Sequence, residues 1–194
     1  MTIDQRKGDE TRPYDIDCED ELVARAKEEL PYRTDAYSLL MKSYEKRIYW
    51  MCQRIICDDS ESYDAAQEVL IRVFHHLPSF KGDSSFKTWL YSIARNVALT
   101  QLKKSKPLKE ASDLSEINEG DLAHDYRPNE SVDNALDVSK VFAKLNVDDR
   151  EILSLRFVAD LDLQEIADTL DLKLSATKMR LYRATEELRK HYPQ

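Results

Sequence analysis

The 194-residue sequence has only three glycines, three cysteines and no apolar run near the roughly 18 residues that a transmembrane helix needs. So little glycine leaves few turns that could cradle a phosphate, and neither a G-x-G-x-x-G nor a Walker-type loop is present. The cysteines form neither a C-x-x-C pair nor an even disulfide set, so reduced thiols are expected. The N-terminus lacks the apolar stretch of a signal peptide. These absences predict a cytoplasmic protein with no membrane insertion.

Charge is distributed unevenly along the chain. The 29 Lys+Arg and 37 Asp+Glu give a net charge of −8, which by itself argues against a nucleic-acid partner. However, residues 1–33 contribute −4 and residues 107–137 contribute −7, whereas residues 34–106 contribute +3 and residues 138–194 are neutral. Residues 173–190 carry a local charge of +4. The acidic total therefore belongs to the tail and the middle of the chain, and it leaves two other units as candidates for contact with DNA.

The apolar spacing predicts an all-α fold. Apolar residues recur at i, i+3 and i+4, and no alternating run or Asn-Gly or Asp-Gly pair indicates a β-hairpin. We predict two small helical domains, 18–105 and 134–194, joined by a flexible acidic linker at 106–133 and preceded by an acidic extension at 1–17. The predicted helices are 19–30, 35–57, 61–77, 84–104, 134–145, 149–158, 163–170 and 176–191.

The predicted helix 61–77 has an outward face that favours a partner. Opposite its apolar stripe lie four residues that we call the 64–71 face: Asp64, Gln67, Glu68 and Ile71. An apolar residue in the centre of a charged surface favours docking over a merely solvated face. A metal site built on Asp64 and Glu68 is disfavoured, because no His-x-x-Glu companion lies on another predicted helix. We therefore predict no metal ligands here.

The predicted helix 84–104 combines aromatic rings with cations and hydroxyl groups. Thr88, Tyr91 and Arg95 are predicted to face outward, with Trp89 and Asn96 on the flanks. Unstacked bases bind to such a combination, because rings stack on them, cations hold phosphate and polar groups donate to base edges. The alternative, in which Trp89 and Tyr91 are core residues with a polar edge, is the commoner arrangement and stays open.

Two acid-x-x-Glu patterns predict helix starts in the last third of the chain. Asp148 is followed by Glu151, and Asp162 is followed by Glu165. In each pattern the first side chain can cap N–H groups while the glutamate lies in the positive first turn. Leu161 and Ile166 would flank the second start as a hydrophobic staple. The arrangement predicts a short helix that begins after Asp162.

The end of the chain has a helix-turn-helix pattern. It consists of that short helix, a turn at 171–174 and a basic helix that Ser175 is predicted to cap. The second helix of such a motif enters the major groove, where Ser and Lys donate to base edges, Met and Ala contact thymine methyl groups and Arg binds phosphate or guanine. The residues of this side, which we call the 175–183 face, are the outward Ser175, Lys178, Met179, Tyr182 and Arg183, with Ala176 and Arg180 on the edges. A basic helix packed in a bundle is the alternative.

Two blocks of sequence closely resemble region 2 of bacterial sigma factors of the extracytoplasmic-function group. They are residues 64–74, DAAQEVLIRVF, and residues 80–96, FKGDSSFKTWLYSIARN. Residues 151–157, EILSLRF, and residues 164–167, QEIA, are similar to region 4 of the same family. The two resemblances occur in order with a linker between them, and together they span nearly everything except the tail and the linker.

The resemblance implies a promoter-specificity factor and not an enzyme, with no cofactor. Region 2 would bind the clamp helices of the largest subunit of core RNA polymerase through the 64–71 face, and region 4 would contact the flap of the second-largest subunit. Region 2 would also capture the minus-ten element as single strand, and region 4 would read the minus-thirty-five element as duplex through the 175–183 face. An anti-sigma factor is a further implied partner. The matching minus-ten positions, which we call the 81–96 face, are Lys81, Ser84, Ser85, Thr88, Trp89, Tyr91, Arg95 and Asn96.

The sequence departs from the family at the turn before the last helix. Asp171 stands where members commonly have a glycine-containing turn, so the backbone angle at this position is open. Met179 and Tyr182 on the 175–183 face suggest an unusual minus-thirty-five preference. Two other functions remain as alternatives: a repressor or activator that binds duplex DNA without polymerase, and an enzyme built on the cluster around His75 and His76. The enzyme lacks a nucleophile, base and orienting group at workable positions.

Overall fold

The structure is a computed structural model that describes residues 19–112 and 132–191. Every regular element in this part of the chain is helical, which confirms the predicted all-α class. The elements are α1 (Glu19–Glu29), α2 (Asp35–Lys42), α3 (Glu45–Ile56), α4 (Asp59–His76), a 3₁₀ turn (Leu77–Ser79), α5 (Phe86–Ser112), α6 (Val132–Ala143), α7 (Val147–Phe157), α8 (Leu163–Leu170) and α9 (Leu174–His191). None of the helices in the described ranges is long and apolar enough to cross a membrane.

The first five helices form one bundle. Helix α3 packs against both α4 and α5, which also pack against each other, and α1 packs against α2. The apolar stripes predicted from helical spacing lie in its core, where Val69, Val73 and Leu90 are fully buried. Each such side chain stabilises the fold by about 1.5–3 kcal/mol relative to exposure. The side of α4 opposite its apolar stripe remains exposed and available for other contacts.

The predicted helix 35–57 is two helices in the structure. The α-helical hydrogen bonding is interrupted at Ser43 and Tyr44, although both keep right-handed backbone angles, and the Ser43 hydroxyl donates to the Leu40 carbonyl at 2.8 Å. Tyr44 is buried, and its ring meets the Phe86 ring edge-on with 5.7 Å between centroids. No glycine or proline marks this break. The apolar spacing continues across it, so local sequence gives no signal for the division.

The last four helices form a second unit in which α7 and α8 both pack against α9. The predicted capping box of α8 is confirmed, because the Asp162 side chain accepts from the N–H groups of Gln164 and Glu165, and the Glu165 carboxylate accepts from the N–H of Asp162. Leu161 and Ile166 are fully buried on either side of this start, as a hydrophobic staple requires. These local interactions fix the first helix of the helix-turn-helix.

Two of the predicted caps are wrong. The N-cap of α7 is Asn146, whose side-chain oxygen accepts from the N–H of Asp149 at 2.8 Å, so Asp148 lies inside the first turn. Helix α9 begins at Leu174, which places Ser175 within the helix. The cap is the residue just before the helix, at which the backbone is still extended. Asp148 and Ser175 are of suitable residue types, but each is the second residue of its helix.

The turn between α8 and α9 answers the question left open at Asp171. The Asp171 backbone is left-handed, with φ 53° and ψ 48°, and the Asp171 N–H is directed at the Ala167 and Asp168 carbonyls of α8. Aspartate tolerates this region better than most residues other than glycine. The helix-turn-helix therefore keeps its left-handed turn without a glycine.

The predicted linker, 106–133, is helical at both ends. Helix α5 continues to Ser112 and α6 begins at Val132, so the helical part of each unit is longer than predicted. Good helix formers, which follow Pro107, account for the extension of α5. Residues 113–131 and the predicted extension 1–17 lie outside the described residues.

The cysteines of α3 are structural. Cys52 is fully buried, and burial raises the pKa of its thiol to about 12. Cys57 is half-buried and ends α3 with a left-handed φ of 60°. A thiol held protonated in an apolar core reacts slowly with oxidants, because the thiolate is the nucleophile. Cys52 is therefore a small core residue.

Candidate nucleic-acid interface

The 64–71 face lies on the solvent side of α4. Asp64, Gln67 and Ile71 are exposed, and Ile71 retains 52% of its accessible surface. Glu68 is half-buried and its carboxylate accepts from Arg72 at 2.7 Å, one helical turn away. The predicted outward orientation is confirmed. An exposed branched side chain between polar neighbours forms a surface that a partner with an apolar centre and a polar rim would match.

The loop before α5 encloses an open recess of about 360 Å³. Trp89 forms one wall and stacks at a tilt on Phe80, with 4.9 Å between ring centroids. The Lys27 ammonium group donates to the Phe80 carbonyl at 2.6 Å and so fixes the loop from α1. Lys81 and His76 line the rim and are exposed. The recess therefore combines a ring face with a nearby cation, which is the chemistry predicted for an unstacked base.

The outward orientation predicted for Tyr91 and Thr88 is wrong. Tyr91 is fully buried, and burial raises the pKa of its phenol to about 12. Its ring meets that of Tyr44 at 6.2 Å, so it belongs to the core of the bundle. Thr88 is 7% exposed. Helical periodicity predicted that this side of α5 is open to solvent. In the structure, Tyr91 packs inside the first bundle and Thr88 contacts the second unit.

Side chains on and just before α5 donate to oxygen atoms of the second unit. The Glu165 carboxylate accepts from the Thr88 hydroxyl at 2.7 Å and from the Ser85 hydroxyl at 3.2 Å. The Lys87 ammonium group donates to the Asp160 carbonyl at 2.6 Å. Burial by itself would raise the pKa of Glu165, but these hydroxyl donors, its own capping bond and Lys87 lower it below the ordinary value. Glu165 is therefore held as a carboxylate.

Glu151 joins the two units through Arg95 and also binds Arg180 within the second unit. Its side chain is 5% exposed; one oxygen accepts from Arg95 of α5 and the other accepts from Arg180 of α9 at 2.8 Å. Arg180 also donates to the Asp148 carbonyl at 2.8 Å. This role of Glu151 was missed, because the sequence pattern explained it as a first-turn acid. The available signal was its position directly before four buried, uncharged residues, Ile152 to Leu155.

A second contact between the units lies along α3. The Arg54 guanidinium group lies 5.2 Å from the ring centroids of both Trp50 and Phe142. Gln53 accepts from the Ser139 hydroxyl at 3.0 Å. Stacking of a guanidinium group between two aromatic rings is worth about 0.5–2 kcal/mol per ring, depending on desolvation. Helix α6 is therefore anchored on α3, against which α7 also packs.

The 175–183 face is open to solvent. Met179 and Tyr182 are 53% and 63% exposed, and Lys178 and Arg183 are exposed beside them. Arg180 is the exception, because its bonds to α7 leave it half-buried. Ser175 and Ala176 complete the exposed side, whereas Thr177 and Ala184 are buried on the opposite side. The predicted face of the second helix is therefore confirmed as a surface.

Comparison with known proteins gives the family. A family model described as Sigma-70 region 2 matches residues 40–107, and one described as Sigma-70, region 4 matches residues 141–190. The ECF RNA polymerase sigma factor SigX of Bacillus subtilis (strain 168) is 30% identical over 166 residues, covering 81% of this chain and 84% of SigX. This chain belongs to the ECF family of RNA polymerase sigma factors. The RNA polymerase sigma-H factor of Pseudomonas aeruginosa is 32% identical, covering 80% of this sigma factor and 85% of sigma-H.

Solved structures share the fold of this sigma factor. CnrH in complex with the cytosolic domain of CnrY matches with a TM-score of 0.66 and 18% identity, covering 89% of this chain and 96% of CnrH. The sigma factor RpoE of Bartonella quintana, in complex with the anti-sigma factor NepR, matches with a TM-score of 0.65 and 21% identity, covering 82% and 97% of the two chains. The ranges matched by the two family models identify the first bundle as region 2 and the second unit as region 4. Sigma factors are transcription initiation factors and not enzymes.

Proposed function

We propose that this sigma factor binds core RNA polymerase and directs it to promoters by reading two DNA elements in different forms. The minus-ten element is bound as single strand by region 2, and the minus-thirty-five element is bound as duplex by region 4. The observation that carries the proposal is the helix-turn-helix whose second helix exposes Lys178, Met179 and Arg183. A unit of this geometry places its second helix in the major groove.

The 64–71 face is the proposed contact with the clamp helices of the largest polymerase subunit. Ile71 supplies an exposed apolar centre, and Asp64 supplies a carboxylate near it. A partner with an apolar groove and basic rim complements such a surface. Phe157, which is 64% exposed at the end of α7, is the proposed apolar contact of region 4 with the flap of the second-largest subunit.

The recess before α5 is the proposed site for an unstacked base of the minus-ten element. Trp89 offers a ring face, and Lys81 and Ser84 offer a cation and a hydroxyl group at the rim. Arg95 and Asn96 would continue this surface along α5. Tyr91 is left out of the contact set because it is fully buried. Stacking of one base on an aromatic side chain is worth about 1–3 kcal/mol, which favours the open strand over re-pairing without ATP.

The 175–183 face is the proposed contact with the duplex. Lys178 and Arg183 are exposed cations for phosphate or guanine, and Met179 is an exposed apolar side chain for a thymine methyl group. Arg180 has a different role, since Glu151 and the Asp148 carbonyl already hold it against α7. An anti-sigma factor is the further proposed partner, and the sigma factor complexes with NepR and CnrY support that class of partner.

Run-off transcription with purified core polymerase and a library of genomic promoters tests this function. The wild-type chain should start transcription at a defined subset of promoters, and no start at any promoter contradicts the proposal. Ile71→Asp should lower polymerase affinity by about tenfold, equivalent to about 1.4 kcal/mol, without changing stability. Tyr32→Asp is the matched control, because Tyr32 is an exposed apolar residue outside the proposed contacts, and it should leave affinity unchanged.

A second measurement separates the two DNA elements. Lys178→Ala should weaken binding of duplex minus-thirty-five DNA by the holoenzyme and leave capture of single-stranded minus-ten DNA intact. Lys140→Ala, an exposed lysine of α6, is the control and should change neither. Equal loss of both activities in Lys178→Ala would contradict the division between regions. Tight duplex binding without polymerase would instead favour a stand-alone repressor or activator.

A further inference from the structure

The methionines of this chain differ sharply in exposure. The sequence has four of them, and Met1 lies outside the described residues. Met41 and Met51 are 1% and 0% exposed in the core of region 2, whereas Met179 is 53% exposed on α9 of region 4. Of the three described methionines, Met179 alone therefore has a side chain that a dissolved reagent can reach.

Met179 also borders an open recess between the first turn of α7 and the exposed side of α9. The recess has a volume of about 460 Å³, and Ala176 and Arg183 line it together with Met179. Residues four positions apart on a helix are neighbours, so the side chains of Met179 and Arg183 lie next to each other. A small oxidant enters this recess from solvent without any movement of the helices.

The described cysteines are separate from this surface. Cys52 is buried in α3 with the pKa of its thiol raised to about 12, and the half-buried Cys57 donates to the Arg54 carbonyl at 3.5 Å. Neither lies on the 175–183 face. Thiol reagents reverse sulfenic acids and disulfides, whereas methionine sulfoxide needs its own reductases, so the two kinds of oxidation can be told apart.

Oxidation of the Met179 thioether by a peroxide is a balanced two-electron step. A lone pair of the sulfur attacks one peroxide oxygen, the O–O bond breaks and an S–O bond forms. The departing hydroxide takes the proton of the transferred oxygen and leaves as water. Sulfur is oxidised, peroxide is reduced, and the product is a methionine sulfoxide that sulfoxide reductases return to methionine.

The sulfoxide does not suit the duplex contact that Met179 is proposed to make. A thioether is apolar and packs against a thymine methyl group, whereas the sulfoxide is polar and carries an acceptor oxygen. Arg183, one helical turn away, is a donor for that oxygen. Oxidation therefore removes an apolar contact and also draws an exposed cation away from phosphate or guanine.

We propose that Met179 is an oxidation site through which a peroxide weakens binding of the minus-thirty-five element, and that reduction of the sulfoxide restores it. This inference rests on the proposed function, because it modifies the duplex contact of region 4. Capture of the minus-ten element belongs to region 2, where Met41 and Met51 are buried, and it continues after oxidation of Met179.

Peroxide treatment of the full-length chain before assembly tests the site. Hydrogen peroxide is added in increasing amounts and removed by gel filtration, the thiols are reduced with dithiothreitol, and untreated core polymerase is then added. Peptide mass spectrometry should find one added oxygen atom on Met179 before Met41 or Met51 is modified. Binding of duplex minus-thirty-five DNA should then fall by about tenfold, the size of one lost base contact, while single-stranded minus-ten DNA binds as before.

Two variants assign the loss to this side chain. Met179→Leu keeps an apolar side chain of similar size that peroxide does not oxidise, so its duplex affinity should be the same before and after treatment. Met179→Gln places an acceptor oxygen at this position and should have the lowered affinity without any oxidant. Sulfoxide reductases for both epimers should restore duplex binding to the treated wild-type chain. Circular dichroism of each chain separates loss of binding from loss of the helices.

The outcomes distinguish this inference from the function on which it rests. If the untreated holoenzyme does not bind minus-thirty-five duplex, the proposed function fails. If it binds and keeps its affinity after Met179 is oxidised, only the oxidation site fails. Equal losses in the wild-type chain and Met179→Leu, or modification of Met41 and Met51 as early as Met179, also overturn the assignment.

Discussion

The 81–96 face and the 175–183 face have similar chemistry but different surroundings. Each combines cations, hydroxyl groups and large apolar side chains on one side of a helix. On α9 that side is open, and Met179 and Tyr182 keep more than half of their surface. On α5 it is partly covered, because Glu151 and Glu165 of region 4 bind its donors. A polar helix face therefore marks an interaction surface without revealing whether the partner is another molecule or another part of the same chain.

Carboxylates of region 4 explain why the face on α5 is covered and the face on α9 is open. Region 4 presents carboxylates at the start of α7 and α8, where negative charge is also favoured by the helix dipole. Glu165 both completes the capping box of α8 and pairs with α5, whereas Glu151, the other partner of α5, lies in the second turn of α7. On the exposed side of α9, Lys178 and Arg183 meet no such carboxylate in the described part of the chain and face solvent. Three comparisons of alanine variants and one change of pH test this difference.

Loss of Glu151 should have the largest effect. Glu151→Ala leaves Arg95 and Arg180 without their shared carboxylate, and the expected loss is about 2–4 kcal/mol of unfolding free energy, near the lower end for a broken buried pair because both arginines can reach water. Urea denaturation measures it. Glu186→Ala, which breaks an exposed pair with Arg189, should cost at most about 1 kcal/mol. Equal losses in the two variants would show that Glu151 is not a structural bridge.

Arg180 and Lys178 should separate structure from DNA binding on the same helix. Arg180→Ala removes bonds to Glu151 and the Asp148 carbonyl, and it should lower the free energy of unfolding by about 1.5–3 kcal/mol. Lys178→Ala should change unfolding by no more than about 0.5 kcal/mol, because this side chain is exposed. Thermal denaturation and duplex binding by the holoenzyme give the two readouts. Similar free energies of unfolding for the two variants would show that Arg180 does not stabilise the fold more than the exposed Lys178 does.

The cap of α8 should have a smaller and local effect. Asp162→Ala removes the acceptor for two N–H groups, and the expected loss is about 1 kcal/mol. Asp168→Ala, in the same helix, removes only an exposed bond from Gln164 at 2.9 Å and should cost less than about 0.5 kcal/mol. Chemical denaturation of both variants measures the difference. If Asp168→Ala is the more damaging change, the capping box does not fix the first helix of the motif.

The smallest expected effect is a dependence on pH through Glu165. Its folded-state pKa lies below the ordinary value of 4.5, so its ionised form stabilises the folded chain above about pH 4.5, and that contribution is lost as the pH falls through the folded pKa. Glu165→Gln keeps a residue that completes a capping box but cannot ionise. The difference in unfolding free energy between wild type and Glu165→Gln should therefore shrink on acidification from pH 7. A difference that grows toward low pH would contradict the assignment.

Local sequence predicts the exposed surfaces of α4 and α9 correctly. Each of these helices has one apolar stripe at helical spacing, and residues opposite it, such as Ile71 and Met179, lie in solvent. The prediction fails at Thr88 and Tyr91, where a helix is buried on more than one side. It also fails at Asp148 and Ser175, because several residues near a helix start are good caps and only the backbone angle selects one.

The sequence by itself determined the helical class, the two units, the capping box at Asp162 and the family, because these depend on residue types within one or two helical turns or on ordered motifs. The tertiary structure alone decided that Glu151 lies between Arg95 and Arg180 and that Glu165 meets Thr88. Those partners are 29 to 77 positions apart. Helical periodicity repeats every few residues and contains no information about which face of one helix meets which face of another across such a separation.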